Sequence, residues 1–154
     1  MSVYFNSDEI FEIAIQIEKN GAAFYRKAIK IIENEMLKNL LEKLAKMEDE
    51  HEKAFTAMKN ELSNFTLDNE AKDYLKAIAG GYVFDLETEP KDIISEENTF
   101  EDIVRIAIGL EKDSIAFYSG MKEVMPASFG KDKIDHIIKE EIRHIIQLLE
   151  LLQI

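Results

Sequence analysis

The sequence predicts an all-α protein, four long helices packed as a bundle, with one long crossover between the second and the third. Three observations predict it. Apolar residues recur at steps of three and four over four long stretches, the spacing of one helix face. Between residues 64 and 98 that periodicity lapses among acidic side chains, Gly80-Gly81 and Pro90. The chain also repeats itself at an offset of 93 residues, the third long helix copying the first and the fourth copying the second.

The first helix starts at Ser7, a favourable N-cap, and carries Ile10, Ala14, Ile17, Gly21, Phe24, Ala28 and Ile31 along one face. The second runs from about Glu35 to Leu62, with Leu37, Leu40, Leu41, Leu44, Met47, Phe55 and Met58 as its stripe. Hardly any loop separates the two, so they pack as an antiparallel hairpin. Within the crossover, which spans residues 63–98, a short helix is expected from about Asn69 to Ala79. Gly80-Gly81 follows no strand and reads as a turn, not a phosphate loop. Thr99 with Asp102 three residues later forms a capping box for the third long helix, which runs to about Val124 on Ile103, Ile106, Ala107, Leu110 and Phe117. Pro126 and Gly130 mark the next turn. The fourth helix occupies about Lys131 to Leu152, with Ile134, Ile137, Ile138, Ile142, Ile145, Leu148 and Leu149 on its apolar side. Residues 1–154 read as a single domain, long enough to bury a continuous core.

Composition removes several classes of function. Charged residues interrupt every apolar run before the ~20 residues a bilayer requires, and the opening MSVYFNSDEI has neither a basic nor an apolar segment of a secretory signal. A cytoplasmic protein is expected. The net charge of -12 repels phosphate backbones and anionic membrane surfaces, so neither nucleic acid nor membrane is an expected partner. There is no cysteine, which removes disulfides, thiol nucleophiles, cysteine-bound zinc and iron–sulfur clusters together. A metal site in this chain must be built from Glu, Asp and His.

The repeat directs attention to six such residues. Asp8 to Tyr25, DEIFEIAIQIEKNGAAFY, lies over Glu101 to Tyr118, EDIVRIAIGLEKDSIAFY, and pairs Glu18 with Glu111 and Tyr25 with Tyr118. The same offset carries Glu48 onto Glu141 and His51 onto His144. Residues three apart on a helix project together, so Glu48 with His51 and Glu141 with His144 each aim at one point. Glu18 and Glu111 sit within the apolar stripes of the first and third helices and face inward. Four carboxylates in a bundle core repel one another unless cations hold them. A Glu from each of two helices and a Glu-x-x-His from each of the other two suit two divalent metals. Glutamate is abundant here, and one Glu-x-x-His alone would be weak evidence. Two of the three histidines carry the motif, however, both at the offset of the repeat.

Other residues are assigned less. Tyr25 and Tyr118 stand two turns beyond Glu18 and Glu111; they either hydrogen-bond a ligand carboxylate or are core tyrosines satisfied elsewhere. His136 reads as a surface histidine. Glu50, Glu52 and Glu140 fall off the ligand face and read as solvated, Glu140 adjoining Glu141 closely enough to substitute for it.

Glu18, Glu48-x-x-His51, Glu111 and Glu141-x-x-His144 on four helices resemble the di-iron carboxylate site of the ferritin-like superfamily. The Glu18 to Tyr25 segment with the Glu48 motif is similar to the four-helix domain of rubrerythrin, and the resemblance covers nearly the whole chain. It implies a ferritin-like bundle with two irons per chain, Glu48 and Glu141 bridging, Glu18 with His51 completing one metal's sphere and Glu111 with His144 the other. It also implies reaction with hydrogen peroxide or dioxygen, and a homodimer. Manganese or a mixed iron–manganese pair suits the same ligands. Rubrerythrins usually add a rubredoxin-like domain with four cysteines; without cysteine, an external redox protein is the expected electron donor. They also tend to carry a further glutamate where this chain has Ser114, and a carboxylate where His144 stands. The symmetric set is nearer to bacterioferritin.

Three functions follow from these residues. The first is a di-iron oxidoreductase of the rubrerythrin kind. The second is a ferroxidase of iron storage or delivery, taking Fe(II) as substrate; it is less favoured because the sequence ends directly after the fourth helix, without the short additional helix usual in caged ferritins. The third is a metal-free helical interaction module, in which replacing Glu48 and Glu141 by apolar residues would stabilise the fold and change nothing else.

Overall fold

The computed structural model describes residues 7–62, 67–80, 94–126 and 130–153. All regular structure among them is helical: α1 (Ser7–Ile31), α2 (Glu35–Leu62), α3 (Asn69–Gly80), α4 (Phe100–Val124) and α5 (Lys131–Leu152). Gly81 and Pro90 lie outside the described residues, with the rest of 63–66 and 81–93 in the crossover.

Local chemistry accounts for the helix ends. Thr99 and Asp102 form the reciprocal box at the start of α4, the Thr99 hydroxyl accepting from Asp102 N at 3.1 Å and the Asp102 carboxylate accepting from Thr99 N at 3.0 Å. Asn34 caps α2 with a single bond, accepting from Leu37 N at 2.9 Å, and Asp68 caps α3, accepting from Ala71 N at 2.7 Å. Gly130 precedes α5 with φ 66°, a left-handed conformation that glycine adopts without steric cost. α1 is described from Ser7 onward, and the residues before it lie outside the described residues.

The closest partners are α1 with α2 and α4 with α5, two antiparallel hairpins; α3 lies on α4. The backbones of the two hairpins come closest where α1 faces α4, whereas α2 and α5 stand farther apart and meet through their side chains. The interior is two apolar clusters. One holds Ile10, Ala14, Ile17, Phe55, Phe117, Tyr118, Ile134 and Ile137. The other holds Phe24, Tyr25, Leu41, Leu44, Ile103, Ala107, Leu110 and Leu148. The 93-residue offset exchanges them: Ile10 maps to Ile103, Ala14 to Ala107, Ile17 to Leu110, Phe24 to Phe117, Leu41 to Ile134, Leu44 to Ile137 and Phe55 to Leu148. The duplication therefore acts as a pseudo-twofold axis across the bundle, swapping its two ends. Leu75 packs in the first cluster and Ile94 in the second, so the crossover returns the chain to the end where α2 began, and α2 and α4 run in the same direction. This is the ferritin-like connectivity.

One part of the predicted core is not buried. Ile142 and Leu149 are 44% and 42% exposed, with Ile146 beside them. The buried face of α5 is Ile134, Ile137, Ile138, Glu141, His144 and Leu148. A helix apolar on more than one side gives no periodicity signal that separates the core face from its neighbour.

Candidate metal centre

Between the two apolar clusters lies a polar layer. Glu18 separates Ile17 from Phe24 on α1, Glu48 separates Ala45 from Phe55 on α2, Glu111 separates Leu110 from Phe117 on α4, and Glu141 separates Ile138 from Leu148 on α5. The helical period that buries the apolar residues buries these as well: all four glutamates, His51 and His144 are at most 5% exposed. Gly21 makes room for one of them, since a Cβ there would stand 3.3 Å from Glu48 Cδ.

Both imidazoles present Nδ1 to the centre. His51 Nδ1 lies 2.7 Å from Glu141 Oε1 and 3.6 Å from Glu18 Oε2; His144 Nδ1 lies 3.5 Å from both Glu111 Oε1 and Glu141 Oε2. The 2.7 Å approach lies off the direction a ring N–H needs, so neither Nδ1 has a hydrogen bond. The rings themselves stack across the α2–α5 gap, centroids 6.0 Å apart.

Two overlapping groups bring their ligand atoms within 4.8 Å of one another: Glu18, Glu48, His51 and Glu141, and Glu48, Glu111, Glu141 and His144. Glu48 and Glu141 belong to both. The structure thus brings together all six residues singled out from the sequence.

The two tyrosines cross the bundle. Tyr118 Oη donates to Glu18 Oε1 at 2.5 Å, and Tyr25 Oη donates to Glu111 Oε1. Each hydroxyl reaches the carboxylate of the opposite hairpin, not the one on its own helix, and the pseudo-twofold relates the pairs. In each case one oxygen is clamped and the other, Glu18 Oε2 or Glu111 Oε2, is buried without a hydrogen bond.

Glu140 corrects the sequence reading. Its side chain is only 17% exposed and Oε2 meets His51 Nε2 at 2.6 Å, while Oε1 meets Nε2 of the exposed His136, also at 2.6 Å. The i,i+4 spacing of His136 and Glu140 was the available signal; the contact with His51, on another helix, has no local signature.

Burial sets the electrostatics. It pushes the Glu48 carboxyl well above its ordinary range, with the negative charges of Glu141 and Glu18 adding to the effect. Glu18 is raised by burial and by Glu141. Burial opposes charge on His51 too, but the surrounding Glu141 and Glu18 outweigh it and hold its pKa at about 11. Glu141 is lowered, its burial outweighed by His144 and His51. Burial and the same carboxylates raise the Tyr25 hydroxyl well above its usual value, so it stays a donor.

Glu18 Oε2, Glu111 Oε2, both carboxylate oxygens of Glu141, and Nδ1 of both histidines are buried without a hydrogen bond. Unsatisfied buried acceptors of this number are costly unless a cation completes them. Carboxylate oxygens with imidazole nitrogens are the donor set of divalent first-row metals, and the residues fit a pair of such ions sharing two carboxylates.

Comparison with known proteins bears on this arrangement. The Rubrerythrin family model matches residues 9–152. A crystal structure from Thermotoga maritima, described as "a putative ferritin-like diiron-carboxylate protein", superposes with a TM-score of 0.75 at 24% identity, covering 98% of this chain and 97% of that one. Proteins of curated function give no match. With the family model spanning all four long helices, the chain belongs to the rubrerythrin family of ferritin-like di-iron proteins.

Proposed function

We propose that this chain holds two iron ions and reduces hydrogen peroxide or dioxygen with them, drawing electrons from a separate redox protein. The observation that carries the proposal is the sharing of Glu48 and Glu141 between two buried ligand groups. In this reading Glu48 and Glu141 would be shared by both ions, Glu18 and His51 would complete one position, and Glu111 and His144 would complete the other. Two Fe(II) ions held there would supply two electrons, enough with two protons to cleave the O–O bond of hydrogen peroxide or to take dioxygen to the peroxide level. The chain's own residues do the rest. Tyr118 and Tyr25 each hold one oxygen of a terminal carboxylate and leave the other free for metal. The apolar clusters above and below the polar layer exclude water from the axis of the bundle.

Anaerobic loading of the metal-free protein with Fe(II), metal analysis, and separate mixing with hydrogen peroxide and oxygen test the reading. Two irons per chain, oxidised faster by peroxide, are expected. Faster oxidation by oxygen with many irons taken up per chain would favour a ferroxidase. The absence of stoichiometric iron, with manganese tried in parallel, would end the metal reading.

Uptake should also release protons. His51, Glu18 and Glu48 hold protons to higher pH than their ordinary values, and a metal ion must displace them. Affinity is therefore expected to rise with pH, about tenfold per unit for each proton released. Calorimetry in two buffers of different ionisation enthalpy measures the release; identical apparent enthalpies would contradict it.

A further inference from the structure

The internal repeat relates every proposed ligand to a twin, but it does not extend to all of the ligands' neighbours. Glu140 on α5 stands where α2 carries Met47, and His136 stands where α2 carries Lys43. The difference has a structural consequence. His51, with Nδ1 toward the centre, meets the Glu140 carboxylate at its other nitrogen, 2.6 Å away, and Glu140 is itself held at 2.6 Å by His136. His144 also turns Nδ1 toward the centre, but no carboxylate among the described residues pairs with its other nitrogen, and it lines a cleft of about 190 Å³ with Lys43, Met47, Glu140, Arg143 and Gln147. A thioether offers no acceptor comparable to a carboxylate.

We infer that Glu140 is a positioning residue that makes the two metal positions unequal: the one completed by Glu18 and His51 fills first and holds its ion more tightly, and the one completed by Glu111 and His144, beside the open cleft, exchanges its ion. The inference rests on the di-metal reading proposed above. When Nδ1 of a neutral imidazole binds metal, its remaining proton lies on Nε2. At His51 that proton has a carboxylate to go to, which fixes the tautomer, holds the ring in place and strengthens the nitrogen as a ligand. Partners of this kind are worth roughly 10- to 100-fold in metal affinity. His136 extends the chain by occupying the second Glu140 oxygen, so that the carboxylate keeps one orientation. On the His144 side the residue that the repeat relates to Glu140 is Met47, Glu140 pairs with His51 and not with His144, and the cleft gives small ions and molecules a path to that side.

Anaerobic calorimetric titration of the metal-free protein with Fe(II) tests the inference. The wild type is expected to show two separable events, a tighter and a weaker one. Glu140→Gln, which keeps the shape and removes the charge, should weaken the tighter event by roughly 10- to 100-fold and leave the weaker one nearly unchanged. His51→Ala should abolish the tighter event and His144→Ala the weaker. A gain-of-function variant guards against a misfolded Glu140→Gln: Met47→Glu places a carboxylate beside His144 and should tighten the second event. Thermal unfolding of each metal-free variant shows whether the fold is kept, since a purely structural role for Glu140 would lower the melting temperature without affecting one event selectively. Two equal events in the wild type, or two unchanged events in both Glu140→Gln and Met47→Glu, would overturn the inequality while leaving the di-metal reading intact. No stoichiometric Fe(II) in the wild type would overturn both.

Discussion

Glu48→Ala is expected to take the chain from two bound irons to at most one weakly held ion, and to slow peroxide-driven oxidation by more than about 100-fold. The magnitude follows from position. Even residues that only support a ligand are worth 10- to 100-fold in affinity or activity, and Glu48 belongs to both ligand groups. Its loss removes an anion from each metal position at once and leaves Glu141 as the sole shared carboxylate. Glu141→Ala should likewise lose its hold on both ions, because Glu141 also belongs to both groups. Glu18→Ala is the informative contrast. Glu18 belongs to one group only, so that variant should retain one iron, on the side of Glu111 and His144. Metal analysis after anaerobic gel filtration reads all three. Two irons retained in Glu48→Ala would refute the bridging role, and equal losses in Glu18→Ala and Glu48→Ala would refute the division into shared and unshared ligands.

The second large effect is a reversal of sign. In the metal-free protein Glu48 is buried among other carboxylates, and its carboxyl is raised well above the ordinary range. A carboxyl whose folded pKa is raised favours the fold below its unfolded value, near 4.5, and loses that contribution as pH rises through the folded value. At pH 8 the isosteric, neutral Glu48→Gln should therefore melt above the wild type in the presence of a chelator. With metal the order inverts. An ion present at about 1,000 times its Kd stabilises the fold by roughly 4 kcal/mol, which for a chain of this size is on the order of 10 °C in melting temperature. The wild type should gain that shift and Glu48→Gln should lose most of it. Circular dichroism melts with chelator and with Mn(II) provide the comparison. A variant more stable than wild type under both conditions would describe a metal-free helical bundle instead, the third reading of the sequence.

How much of this was legible in the sequence depends on the range over which each feature is encoded. The four long helices and their boundaries rest on local periodicity and on Thr99 and Asp102, and the structure reproduces them within a residue or so. The six converging residues were legible for a related reason. Glu-x-x-His is a local spacing, Glu18 and Glu111 interrupt otherwise apolar stripes, and the repeat ties both sets to one geometry. Ile142 and Leu149 were misplaced because an apolar residue on an exposed face looks no different, in sequence, from one on the buried face. Glu140 was misplaced because its partner, His51, is 89 residues away.

By itself, then, the sequence determined that the chain is a duplicated helical hairpin, the period of its apolar stripes, and which carboxylates and imidazoles interrupt them. Each of these is set by the 3.6-residue period within a single helix or by the offset of the repeat. Only the tertiary structure decided who meets whom across the bundle: Tyr25 with Glu111, Tyr118 with Glu18, and Glu140 with His51. These pairs are 86, 100 and 89 residues apart. They depend on the axial stagger and rotation of one helix against another, which the packing of the two apolar clusters sets and no period within a single helix encodes.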